Sequence, residues 1–234
     1  MSVDLKLAIT KIGDLLLLDR ITDVKDGDSI TGIDLIIPDY QRPYKWTAKN
    51  TLQLLDDILD AKNENKETYR VGTLILHQNG ESTYSIVDGQ QRTITFALLL
   101  KALDKDSQIK FLEQTLADNP NNISNIPNNF HAFERRINNI ADEKDRKTFL
   151  DYIKNNCELI VVITDNLSEA FQFFDSQNAR GKKLYPHDLL KAYHLREMND
   201  FDLTETEKVV KDWEDLNQKD LSAMDKRKQG TGAD

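Results

Sequence analysis

At 234 residues with 39% hydrophobic side chains, the chain is large enough to bury one substantial core. Its 31 basic and 40 acidic residues leave a formal charge of −9, which disfavours sequence-independent binding to a polyanion such as DNA. No apolar run reaches the roughly 18 residues of a membrane span, the start MSVDLKLAIT lacks a secretory layout, and the single Cys157 excludes an internal disulfide or a cysteine-rich zinc site, so a cytoplasmic protein is expected.

In chain order, Leu7, Ile9, Ile12, Leu15 and Leu16 predict an amphipathic helix over about Leu5 to Leu18, despite Gly13. Asp19 to Ser29 is polar and acidic and reads as a loop before a strand at Ile33 to Ile37, which Pro38 ends. In Tyr40-Gln41-Arg42-Pro43-Tyr44-Lys45-Trp46, aromatic and basic side chains interleave. Pro43 biases Arg42 to extended geometry, so that Arg42 projects. Tyr44 and Trp46 are read either as core aromatics or as part of the same surface. Thr47 then caps a helix through about Lys62, with Leu52, Leu55, Ile58 and Leu59 along its buried stripe.

Tyr69 to His77 reads as a strand, and Asn79-Gly80 as a two-residue hairpin turn into a half-buried strand, Tyr84 to Val87. His77 stands alone, without a second metal ligand. Asp88-Gly89 breaks the strand period, and a mostly apolar helical pattern follows from Thr93 through Lys101. The backbone amides around Gln91 to Thr93 are therefore expected to point out of a helix start, which attracts anions. Gly89 lets backbone approach a ligand closely, Gln90 and Gln91 offer donors and acceptors, and Arg92 offers a planar fork suited to phosphate oxygens. The bland alternative is an ordinary turn with Gln90, Gln91 and Arg92 solvated. Against it, a cation at a helix N-terminus is disfavoured by roughly 0.3–1 kcal/mol unless an anion intervenes.

Asp104 to Asn129 is polar, with Pro-Asn-Asn runs at Pro120 and Pro127, and reads as the start of a helical insertion spanning about 105–155. Within it, Phe130 to Asn155 shows two helical stretches interrupted near Ala141-Asp142. Glu158 to Thr164 is a β-branched run typical of a buried strand. Ser168 can cap a helix carrying Phe171, Phe174 and Gln177, which ends at Asn178-Ala179-Arg180-Gly181. A further helix is expected over Pro186 to Met198 and another beyond Leu203. The final run, from Asp225 to Asp234, reads as a linker, and the natural protein is expected to continue.

Three separated blocks carry a family resemblance: Asp88-Gly89-Gln90-Gln91-Arg92; Ile37-Pro38-Asp39-Tyr40-Gln41-Arg42-Pro43-Tyr44-Lys45-Trp46; and Phe174-Asp175-Ser176-Gln177-Asn178-Ala179-Arg180-Gly181-Lys182-Lys183-Leu184. The first resembles the DGQQR signature of GmrSD-type restriction-system N-terminal domains, which are related to ParB and sulfiredoxin. The resemblance implies an α+β fold with a mixed sheet over about 1–200 and a C-terminal helical region from 201. It also implies a nucleoside triphosphate pocket that includes Gln41, Arg42, Gly89, Gln90, Arg92, Thr93, Asn178 and Arg180. Asn178 and Arg180 would share a phosphate with that pocket only if the Glu158 strand docks beside the Tyr84 strand. For hydrolysis, Asp88 is the nearest carboxylate, Gln91 is the alternative for positioning water, and magnesium would neutralise the phosphates. The implied role is the regulatory half of a system that cuts modified phage DNA, with the nuclease elsewhere, self-association open, and no membrane partner. A DNA- or protein-binding module without hydrolysis is the other reading. A sulfiredoxin-type reaction would need a cysteine where Gln90 and Gln91 stand.

Overall fold

The computed structural model describes residues 6–23, 27–38, 41–114, 120–140 and 142–178. A first compact unit extends to Phe174. The expected helices at Pro186 and beyond Leu203 lie outside the described residues, as does Arg180.

Five strands form one mixed sheet: β1 (Lys6–Lys11), β4 (Asp34–Ile36), β5 (Tyr69–Gln78), β6 (Thr83–Asp88) and β7 (Cys157–Thr164). Their order is β1-β7-β5-β6-β4. β7 lies parallel to β5 and β4 parallel to β6, whereas β1–β7 and β5–β6 are antiparallel. Two short strands, β2 (Arg20–Thr22) and β3 (Ser29–Thr31), make a separate ribbon inside the segment expected to be a loop. The fold is α+β, with a mixed sheet and helices around it.

Successive side chains of a strand point to opposite faces, so the run of buried residues from Tyr84 to Val87 means that both faces of β6 are covered. The strand is not the half-buried one its alternation suggested. Its Tyr-Ser-Ile-Val pattern was polar only at Ser85, which is itself buried. The hairpin from β5 to β6 forms, but residues 79–82 separate the strands, so Asn79-Gly80 does not act as a two-residue turn. Asn79 N–H instead closes onto the Thr83 carbonyl at 3.2 Å.

The expected helix over Leu5 to Leu18 splits. Lys6–Lys11 pairs with β7, Ile9 opposite Ile160, and only Ile12–Leu17 forms a helix, α1. Leu7 and Ile9 fit a two-residue period and Ile12, Leu15 and Leu16 a helical one, so one apolar run carries both patterns. The Glu158 strand does not dock beside the Tyr84 strand, the arrangement on which a phosphate shared with Asn178 and Arg180 depended: β5 lies between β7 and β6.

Helix α2 (Ala48–Asn63) begins after Thr47 as read, with Thr47 N–H donating to Asn50 Oδ1 at 3.1 Å. Helix α3 (Gln90–Leu103) is buried nearly all round, Ile94, Phe96, Ala97, Leu99 and Leu100 being at most 1% exposed. Helices α4 (Pro120–Asn138) and α5 (Glu143–Asn156) break where Ala141-Asp142 predicted, but α4 starts ten residues before Phe130 and contains Pro127. From the described part of the 105–155 stretch, Phe133, Ile137, Phe149 and Ile153 are buried in the core.

Helix α6 (Leu167–Asn178) is capped by Asn166, whose Oδ1 accepts from Ser168 N–H at 3.0 Å, and not by Ser168. Cys157 is buried at the start of β7, where burial pushes its thiol up to about 12. Burial lowers His77 from its ordinary value, and a hydrogen bond to the Asp165 backbone works against that shift.

The free edge of β4 is met by Gln114, whose Oε1 accepts from Ile37 N–H at 2.9 Å while Nε2 donates to the Leu35 carbonyl at 3.2 Å. At the other edge, Asp23 Oδ1 faces Ile9 N–H at 3.5 Å and Thr10 Oγ1 accepts from Thr22 N–H at 3.1 Å.

Candidate anion-binding site at the start of α3

β6 passes into α3 through a single residue, Gly89, at φ +98°. That conformation is open to glycine and strained for other residues. A Cβ there would also stand 3.1 Å from the Thr73 carbonyl oxygen and 3.0 Å from Leu74 Cδ1. Gly89 is therefore required by the way α3 sits on β5. One consequence is chemical: with glycine at the N-cap, no side chain closes the first turn.

The helix begins at Gln90, three residues earlier than the apolar pattern suggested. Gln90, Gln91 and Arg92 therefore supply the open amides, while Thr93 N–H bonds the Gly89 carbonyl at 3.0 Å. Thr93 is buried, and its hydroxyl donates to the same carbonyl at 3.0 Å.

Arg92 does not project freely. Its guanidinium donates to the carbonyls of Val71 and Thr73, both at 3.3 Å, and lies 3.9 Å from the Asp88 carboxylate. Between those carbonyls is Gly72, at φ +132° beside a break in the β5–β7 register. A Cβ at Gly72 would fall 1.8 Å from an Arg92 nitrogen. The strand thus bulges and drops a side chain to admit the guanidinium. The expected conflict between a cation and the positive end of a helix is resolved within the protein, by two carbonyl dipoles and Asp88. A glycine inside the strand pattern RVGTLILH was the available signal for this bulge.

Gln41 Nε2 donates to the carbonyls of Ile86 and Val87 at 3.1 and 2.8 Å, fastening the Gln41–Trp46 segment to the end of β6. Gln91 fastens the same segment to α3: Oε1 accepts from Lys45 and Trp46 N–H at 2.8 and 3.2 Å, and Nε2 donates to the Pro43 carbonyl at 3.2 Å. Its carboxamide is thus engaged at both atoms. Arg42 and Lys45 are exposed.

Tyr44 is fully buried and Trp46 packs partly buried against the core, which resolves the two readings of these aromatics. The Tyr44 hydroxyl meets Thr95 Oγ1 at 2.8 Å and accepts from Asn129 Nδ2 at 3.0 Å; burial raises its pKa above the ordinary tyrosine value. Asn125 and Asn129 were not singled out from the sequence because they fall in the polar stretch read as an insertion, and Thr95 because it sits inside the apolar pattern of α3.

Gln90 is 5% exposed, and its side-chain oxygen has no partner among the described residues. Asn178 is the last residue of α6, and its side chain lies outside the described residues, so with Arg180 its relation to this turn is not described.

No His, Cys, Asp or Glu cluster of three or more that would hold a metal occurs among the described residues. Nor is any helix among them long and apolar enough to cross a membrane. Among curated proteins, none matches the chain significantly. The chain does match the family described as GmrSD restriction endonuclease, N-terminal domain, over residues 20–195. That span exceeds half of the 234 residues and contains every expected site residue, so the chain belongs to the GmrSD restriction endonuclease N-terminal domain family.

Proposed function

We propose that this restriction-system domain binds a nucleoside triphosphate at the first turn of α3 and hydrolyses it. In doing so it would serve as the sensing or regulatory half of a cytoplasmic anti-phage system that acts on modified DNA. The observation that carries this reading is the uncapped start of a buried 14-residue helix, Gln90–Leu103, fixed at the end of β6 and held against a segment that exposes Arg42 and Lys45. Backbone amides at a helix start bind phosphate oxygens, and the dipole favours negative charge there.

Arg42 contributes a charge that no described structural contact consumes, whereas Arg92 fixes the turn and adds its field. Asp88, about a quarter exposed, is in this reading the carboxylate that orients water or faces a metal. Magnesium held mainly by the phosphate oxygens, with one carboxylate, fits this donor set and would offset phosphate charge. Gln91 acts in this reading by holding the segment that bears Arg42. The net charge of −9 favours DNA contact through another part of the protein, where the nuclease would also reside.

Calorimetric titration with ATP and GTP in magnesium, together with phosphate release, tests the proposal. Asp88→Ala should retain triphosphate affinity in EDTA while losing most magnesium-dependent turnover. Absence of binding at millimolar nucleotide would overturn the reading, and DNA binding indifferent to nucleotide would favour an interaction module without hydrolysis.

A further inference from the structure

The segment Gln41–Trp46 forms neither helix nor strand, yet it buries Tyr44 completely. Main-chain polar groups in such a segment need partners, and here side-chain carboxamides supply them. Gln91 meets the Pro43 carbonyl and the amides of Lys45 and Trp46. From α4, Asn125 donates to the Tyr44 carbonyl at 3.0 Å, and Asn129 donates to the Trp46 carbonyl at 2.7 Å and to the Tyr44 hydroxyl at 3.0 Å.

The direction of the next bonds follows from proton counting. Thr95 has one hydroxyl proton, which it gives to the Gln91 carbonyl at 2.7 Å. The Tyr44 hydroxyl must therefore donate to Thr95 Oγ1, and it accepts from Asn129. A single chain of donors, buried up to Thr95, runs from Asn129 through Tyr44 and Thr95 to the Gln91 carbonyl, each bond polarising the next.

Asn129 is fully buried, and its Oδ1 has no partner among the described residues. A buried, unmatched acceptor costs stability that an apolar side chain of similar size would spare. The useful part of the residue is its amide nitrogen, aimed at the segment that carries Arg42 and Lys45.

We infer that Asn129 is a positioning residue of the anion site, holding the Gln41–Trp46 segment against the first turn of α3 so that Arg42 and Lys45 face an incoming polyphosphate. This rests on the anion-binding reading above. It makes α4, and not only the helix that carries the site, a determinant of affinity.

The test uses the full chain with inorganic tripolyphosphate as the probe, which removes any preference for a base. Affinity is measured by calorimetry well below the melting temperature, and amide hydrogen exchange is followed at Lys45 and Trp46. Asn129→Ala should bind tripolyphosphate about tenfold more weakly and exchange those two amides faster, with β6 amides unchanged. Asn125→Ala, which removes one bond from a half-buried side chain, should shift both readouts in the same direction by about threefold, and it decides the matter if Asn129→Ala does not fold.

Faster exchange with unaltered affinity would overturn the inference, as would unaltered exchange. Failure of the wild-type chain to bind tripolyphosphate would instead remove the anion-site reading. In that case the exchange data alone would still show whether Asn129 holds the segment.

Discussion

Helices α3 and α5 begin with the same problem and meet it in opposite ways. The first amides of any helix lack intrahelical partners. At α5, Asp142 accepts from Asp145 N–H at 2.7 Å, and Glu143 and Asp145 place negative charge in the first turn. At α3 the cap is glycine, the first turn holds no acid, and its one charged residue is Arg92. The chain closes one start and leaves the other open. The open one is also the one whose geometry is most constrained: φ at Gly89 and the nearness of Thr73 exclude any side chain that could cap it. What the sheet demands of that residue is what leaves the amides available to a ligand.

Breaking that constraint should have the largest effect. Gly89→Val combines a left-handed backbone with a steric conflict at Thr73, and should cost about 3 kcal/mol or more in urea denaturation. A loss near zero would mean that the turn is free to relax and the site is not built in.

Next in size, Arg42→Ala should leave the denaturation midpoint unchanged while weakening tripolyphosphate binding about 10- to 100-fold, as expected for one charge-assisted contact. If stability falls and affinity does not, Arg42 belongs to the scaffold. Arg92→Ala should lower stability by about 1–2 kcal/mol. Gly72→Ala should then cost less in the Arg92→Ala background than in wild type, because the guanidinium that its Cβ would strike is gone. Additive losses would refute the clamp.

Smallest, Asp142→Ala should cost about 1 kcal/mol through its lost cap and leave anion affinity unaltered. That contrast between two helix starts on one chain sharpens the comparison directly.

Much of this arrangement was legible because it is local. The Thr47 start of α2, the strands at Tyr69, Tyr84 and Glu158, and the break at Asp88-Gly89 rest on short-range patterns and turn chemistry. The misread parts were settled by distant partners. Lys6–Lys11 is a strand because β7 offers an edge, and nothing within MSVDLKLAIT announces that edge. Arg92 looked like a free phosphate fork because its true partners, Val71 and Thr73, lie about twenty residues earlier. Asn125 and Asn129 looked like solvated residues of a polar insertion because a carboxamide that satisfies a backbone some eighty residues away has the same composition as one that meets water.

Gln114 has a further consequence. A carboxamide offers one acceptor and a donor on the same planar group, the pair that an adjoining strand would present to the Ile37 amide and the Leu35 carbonyl. By occupying both, Gln114 acts as a one-residue counterfeit strand. At the opposite margin, Asp23 Oδ1 meets the Ile9 N–H of β1. Among the described residues, each margin thus has part of its backbone engaged by a side chain, which reduces the template for backbone-to-backbone fusion with another copy, the hazard that open sheets carry in a crowded cell. If two copies of this chain do join, the joint should be made of side-chain surfaces, and Gln114→Ala should make the protein more prone to aggregate.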